Sequence, residues 1–170
     1  MRLFIAVKLN PTICHALEKV QRSMINQGCR GSFTRLENLH LPLAFIGEYP
    51  EPDDVLDVMQ SVPFEPFDIM LSGFGSFGDL WWTGMRQNGA LQSYVKKLRH
   101  ALSDANIPFD RKKFSPHITL VRRASFVIRP EIVIPDTKMT ADHISLFRSD
   151  RGKNGMLYTE LGIISAGGII

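Results

Sequence analysis

The sequence predicts an α+β fold, on three observations. Short apolar runs with strand character follow one another across turn signals, as hairpin-linked antiparallel strands require. Long helical stripes are few, which disfavours a parallel doubly wound sheet. The order strand, helix, histidine-bearing strand occurs twice, with His40 and His117 separated by 77 positions. That separation is too long for a short-period repeat and suits a duplicated half-domain.

Each element follows from local pattern. Leu3 to Val7 is an unbroken apolar run and reads as a buried strand. Asn10-Pro11 supplies an N-cap and a first-turn proline. Ile13, Leu17, Val20 and Met24 then recur at helical spacing, and Gly28 can end that helix. A strand is expected over His40 to Ile46, closing on Gly47. Pro50 and Pro52 introduce a short helix carrying Val55, Leu56 and Met59. Phe67 to Leu71 and Leu80 to Met85 are expected to pair around a glycine-rich turn at 73–78. Leu91, Tyr94, Val95, Leu98, Leu102 and Ala105 form the stripe of a second long helix. Phe114 to Arg122 reads as the next strand. Ala141 to Phe147 and Met156 to Leu161 are expected to close the fold as a hairpin around Asp150-Arg151-Gly152.

Composition sets outer bounds. The chain has 170 residues, 44% hydrophobic and 22% charged, which excludes a disordered chain, a coiled coil or a collagen-like fibre. The length suits one domain, or two small lobes sharing a core, over 1–170, with no linker or low-complexity segment. The net charge of +3 conceals blocks: residues 1–35, 36–85, 86–130 and 131–170 carry +5, −9, +8 and −1. The +8 block is suited to face an anion, and the second lobe is expected to carry most of any phosphate attraction. Cys14 and Cys29 form no metal-binding or C-x-x-C pattern and are expected to be reduced thiols in a cytoplasmic protein. The opening apolar run is shorter than a signal-peptide core, and no stretch approaches the ~20 apolar residues of a membrane span.

Among the five histidines, His15 and His100 fall in predicted helices and His143 in a late strand with no partner motif. His117 stands in Ser115-Pro116-His117-Ile118-Thr119-Leu120, with Lys112 and Lys113 before it and Arg122 and Arg123 after it. Alternation along a strand puts His117 and Thr119 on one face and Ile118 and Leu120 in the core. An imidazole beside a hydroxyl amid cations suits a phosphate: the ring moves a proton near neutral pH and the hydroxyl donates to an oxygen. Asn38-Leu39-His40-Leu41-Pro42-Leu43 repeats the arrangement, with His40 and Pro42 sharing a face. Two such strands packed about a pseudo-twofold axis would set an acid and a base on opposite sides of one phosphorus.

These motifs resemble those of the two-histidine phosphoesterase superfamily, marked by two H-x-[TS]-x tetrapeptides, and within it the RNA 2′,3′-cyclic phosphodiesterases, or 2′-5′ RNA ligase-like proteins. The resemblance extends over Arg2-Leu3-Phe4-Ile5-Ala6, Glu37 to Leu41, Phe45 to Glu48, Gly73 to Phe77, Phe114 to Leu120, Ser145 to Ser149 and Tyr158 to Leu161. It implies a bilobed duplicated fold, two antiparallel sheets forming a V-shaped cleft with helices on the outer faces. It implies hydrolysis of a ribose 2′,3′-cyclic phosphate to a 2′-phosphate without metal or cofactor, with ATP-independent 2′-5′ ligation in some members. By carry-over, His40 protonates the departing 3′ oxygen, His117 activates water, Thr119 and Arg122 hold the phosphate, and Arg123 assists. The implied partners are RNA ends or cyclic nucleotides, with no membrane, for a monomer.

The first motif departs from the pattern, because Pro42 takes the hydroxyl position. A hydrogen bond to a charged group is worth about 1.5–3 kcal/mol, so the loss corresponds to roughly 10- to 100-fold in rate. The alternatives are therefore a weakened or inactive RNA-end binder, or a related phosphodiesterase acting on 2′-5′-linked oligonucleotides or small cyclic nucleotides. Gly73 to Gly78 also matches G-x-G-x-x-G, but a predicted strand follows it where a dinucleotide site needs a helix. Trp81, Trp82 and Phe33 are candidates to stack bases, and Arg111, Lys112 and Lys113 to track an RNA backbone.

Overall fold

In the computed structural model, which describes residues 1–167, the first strand β1 (Arg2–Lys8) is buried on both faces. Leu3, Ile5 and Val7 enter the main core, while Phe4 and Ala6 join a small second cluster with Phe147 and Tyr158. That two-sided burial explains the unbroken apolar run. Helix α1 (Pro11–Asn26) follows, with the Asn10 side chain accepting from the Ile13 amide at 2.9 Å and Gly28 at φ +92° beyond its end.

The remaining order is β2 (Arg30–Phe33), a 3₁₀ turn (Leu36–Asn38), β3 (His40–Glu48), α2 (Pro52–Ser61), β4 (Phe67–Phe77) and β5 (Leu80–Met85). Then come α3 (Gly89–Asp104), β6 (His117–Ser125), β7 (Lys138–Ala141), β8 (His143–Gly152) and β9 (Gly155–Ser165). All pairings are antiparallel, in a four-stranded sheet β3-β1-β8-β9 and a five-stranded sheet β2-β6-β5-β4-β7. Helix α1 packs on β6 and β7, α2 on β9 and α3 on β3, so the helices sit behind the sheets and leave a cleft between them. The α+β, two-sheet architecture expected from the sequence is the one observed.

Several details differ from the sequence reading. The expected glycine-rich turn at 73–78 is mostly strand: β4 runs through Phe77 and only Gly78-Asp79 turn. Gly75 is required where Trp82 crosses it, since a Cβ there would lie 2.7 Å from the indole. The strand expected from Phe114 begins at His117, after Pro116, which has no amide to offer a ladder. Ala105 lies just beyond α3 and is exposed, so the stripe ends at Leu102. The run Ala141 to Phe147 is split at Asp142 between β7 and β8, and the closing hairpin turns at Lys153-Asn154 rather than at 150–152. The sequence reading missed β2 and β7, each of four residues.

The sheets are not the two halves of the chain. The four-stranded sheet takes β1 and β3 from the first half and β8 and β9 from the end, while β2 crosses to pair with β6. Gln21, 7% exposed on α1, ties this crossing down by donating to the carbonyls of Thr34 at 2.8 Å and Leu120 at 3.0 Å. Replacing it with leucine keeps the approximate volume and leaves two carbonyls without that donor. Gln21→Leu is expected to lower unfolding stability by about 1–3 kcal/mol, read as a reduced urea midpoint at unchanged slope.

Candidate active site

Both histidine strands place their imidazoles by the same local device. His40 Nδ1 lies 2.6 Å from the carbonyl of Asn38, and His117 Nδ1 lies 2.7 Å from that of Ser115. A carbonyl oxygen only accepts, so each Nδ1 carries the proton and each Nε2 is left for other chemistry. His40, Pro42, His117, Thr119, Arg122 and Arg123 all line one cavity of about 710 Å³ between the sheets. This volume is within the usual range for a small-molecule site.

A β-bulge brings Arg122 to the cleft. Trp82 pairs with Thr119 but Trp81 pairs with Val121, so Leu120 is the extra residue on β6. Strict alternation would point Val121 to the cleft; instead Val121 is buried and Arg122 follows Thr119 into the cavity. Arg123 then adopts φ +53°, and two consecutive arginines reach the same cavity.

Aromatic rings frame each imidazole. The Phe4 and Tyr158 rings stand 5.0 Å and 5.3 Å from His40, Tyr158 edge-on. Phe77 stands edge-on to His117 at 5.3 Å, with Trp82 at 6.4 Å. Burial pushes the His40 pKa down to about 4; the Asn38 carbonyl opposes this, and the positive charges of Arg122 and His117 add to the lowering. His40 is therefore neutral at pH 7 in the free protein.

Residues that pattern reasoning had not singled out hold this arrangement. Asn38, 8% exposed, donates at 2.9 Å to the carbonyl of Met156, which also accepts from Arg35. These bonds bring the start of β9 over to the turn before β3, although β9 and β3 are opposite edges of their sheet. The sheet is thereby curled, with His40 and Tyr158 on its concave face. Asp79 and Asp110 also line the cavity, and the Asp110 carboxylate accepts from the Lys112 amide at 3.0 Å.

Other sequence candidates lie elsewhere. Trp81 stacks on Phe74 at 5.1 Å with Phe126 against its edge, and Phe33 packs against the core; neither they nor Trp82 line the cavity. The cavity aromatics are Phe4, Phe45 and Tyr158. Arg111 lies over the Phe109 ring and donates to Ser103, outside the cavity with Lys112 and Lys113. His100 and His143 sit beside Asp104 and Asp142, also outside it. The expectation that one lobe supplies most of the positive charge is corrected: Arg2 and Arg151 of the four-stranded sheet join Arg122 and Arg123. Charge blocks along the chain do not map onto lobes because the strands are interleaved.

Pro42 is buried opposite Ala6 on β3, an edge strand rather than the central one that would exclude proline. Thr119 lines the other side of the cavity, and no hydroxyl faces it from position 42.

Comparison with known proteins fits this geometry. Residues 9–153 match the family model described as 2′-5′ RNA ligase superfamily. An RNA 2′,3′-cyclic phosphodiesterase of Thermus thermophilus is 31% identical over 95% of this chain and 88% of its own length. One from Thermotoga maritima is 26% identical over 95% and 93%. Among solved structures, TT0787 of Thermus thermophilus superposes with a TM-score of 0.85 at 30% identity, covering 99% of each chain. E. coli LigT complexed with 3′-AMP superposes at 0.84 with 24% identity over 98% of each, a likeness of fold.

The depressed His40 pKa has two consequences. From pH 6.5 down to about 4 the unfolded chain takes up a proton at this position that the folded chain refuses, so stability present above pH 6.5 is lost through that window. In an NMR titration the His40 ring resonances are expected to move with a midpoint near 4, and inorganic phosphate in the cavity should raise it. A midpoint at the ordinary histidine value would show the ring to be solvated.

Proposed function

The chain belongs to the 2′-5′ RNA ligase superfamily, and on that footing we propose that it opens the 2′,3′-cyclic phosphate of an RNA end to a 2′-phosphate by proton transfer between His40 and His117. The observation that carries this reading is the matched pair of imidazoles, one from each sheet, both anchored through Nδ1 and both lining one cavity. Relatives over nearly the whole chain length bear the name RNA 2′,3′-cyclic phosphodiesterase, which supports the same substrate class.

In the proposed step His117 Nε2 takes a proton from water as its oxygen attacks phosphorus. The bond from phosphorus to the 3′ oxygen breaks, and His40 Nε2–H delivers a proton to that oxygen. The product is a 2′-phosphate and a free 3′ hydroxyl. Thr119 donates to a non-bridging oxygen and Arg122 offsets its charge, with Arg123 beside it. His40 is neutral in the free protein at pH 7, so the acid role requires loading: the anionic phosphate opposes the repulsion from Arg122 and raises its proton affinity. Pro42 leaves the His40 side without the hydroxyl that Thr119 supplies on the other.

Purified protein is expected to hydrolyse nucleoside 2′,3′-cyclic phosphate in the presence of a chelator. His40→Ala and His117→Ala should each lower kcat by about 10²- to 10⁴-fold. Hydrolysis that survives both substitutions would overturn the paired-imidazole mechanism, and RNA binding without turnover in the unaltered protein would favour the inactive end-binder. Pro42→Thr is expected to raise kcat/KM by roughly tenfold, from one added hydrogen bond to the phosphate. No change would mean that the grip on this side comes from another group.

A further inference from the structure

Four arginines line the cavity, and the reaction proposed above assigns a role only to those of β6. Arg2 and Arg151 enter from the four-stranded sheet. Strand β1 pairs with β8 in unbroken register, Arg2 opposite Ser149 and Phe4 opposite Phe147. Alternation then puts Arg2, Phe4, Phe147, Ser149 and Arg151 on the concave face.

Neither arginine has an acidic partner among the described residues, and the nearest carboxylates along the strands are engaged elsewhere. Glu48, opposite Arg2 in register, lies 3.3 Å from the amino terminus. Asp150, beside Arg151, pairs with Arg148 at 2.9 Å. Two cations on one concave face with their neighbouring acids held away are arranged for an anion that the protein does not supply.

The spacing says which anion. The Phe4 ring is 5.0 Å from His40, and Arg2 is two residues further along the same strand, about 7 Å. Outward from the imidazole along β1 come the Phe4 ring and then Arg2, with Ser149 and Tyr158 in register beside Arg2 and Arg151 two residues further along β8. An apolar step flanked by two anion sites is the pattern of a nucleoside between two phosphates.

We propose that Arg2 and Arg151 form a second phosphate subsite, which takes the phosphodiester immediately upstream of the reacting cyclic phosphate and makes an oligoribonucleotide end a better substrate than a mononucleotide. This rests on the cyclic-phosphodiesterase reading of the His40 and His117 site.

The test compares three substrates: adenosine 2′,3′-cyclic phosphate, the diadenosine dinucleotide ending in the same cyclic phosphate, and that dinucleotide with a neutral methylphosphonate upstream linkage. For the unaltered protein, kcat/KM should be about tenfold or more higher on the charged dinucleotide than on the mononucleotide, and the neutral linkage should remove the advantage. Arg2→Gln and Arg151→Gln should lose more on the charged dinucleotide than on the mononucleotide. Each should also flatten its dependence of log kcat/KM on log salt by about 0.7, with Arg2→Lys recovering part of the loss. Equal rates on charged and neutral dinucleotides would overturn the subsite while leaving the phosphodiesterase reading intact. If none of the three is hydrolysed, that reading fails, and binding decides the subsite: tighter binding of the charged dinucleotide supports it, and equal affinity for charged and neutral dinucleotides overturns it.

Discussion

The cleft depends on how the open edge of β3 is closed. One edge of this strand pairs with β1, and the other presents backbone groups without a strand partner. The connection between α3 and β6 covers them: the Asp110 amide donates to the Phe45 carbonyl at 2.8 Å, and Arg99 donates to the Leu43 carbonyl at 3.2 Å. The same guanidinium donates to the Lys112 carbonyl at 2.7 Å and lies over the rings of Phe109 and Phe114. One cation on α3 thus holds the strand of His40 against the segment that delivers His117. Hydrogen bonds from a charged donor are worth about 1.5–3 kcal/mol each, more than ordinary backbone pairs. An edge that would otherwise invite association becomes the seam between the sheets.

Closure at this seam explains why the site combines dry and charged surroundings. The sheet that carries His40 is curled by the bonds to Met156 and lined by Phe4, Phe147 and Tyr158, which remove water from around the imidazole. The sheet that carries His117 presents two consecutive arginines, because a bulge and a left-handed residue break its alternation. Placed face to face, the first surface makes protonation of His40 costly and the second increases that cost through Arg122. In the proposed reaction, a bound phosphate reverses the balance by offsetting the arginine charge. Under the proposed chemistry, the proton needed by the leaving group is taken up most readily when substrate is present.

The positive lining follows the same logic. An anion entering the cavity meets arginine donors from both sheets that form no ion pair with a carboxylate among the described residues. Away from the cavity, the buried Gln21 amide and Thr83 hydroxyl find backbone carbonyls at 2.8–3.0 Å.

The sequence by itself determined the fold class, both long helices and the two histidine strands. These depend on periodicities of two and 3.6 residues and on caps, which are local properties of the chain. Tertiary structure decided what local pattern cannot encode. The four-residue strands β2 and β7 are too short for a period and exist because longer strands offer them an edge. The bulge that turns Arg122 inward is set by pairing with β5 and β2, whereas strict alternation in the sequence points Val121 to the cleft. Arg2 and Arg151 lie almost 150 positions apart and share a surface only because the first strand and the last hairpin pair in one sheet. The blocks of charge along the chain could not assign a lobe to each cation, since the strands interleave and charge follows strand order in space rather than position in sequence.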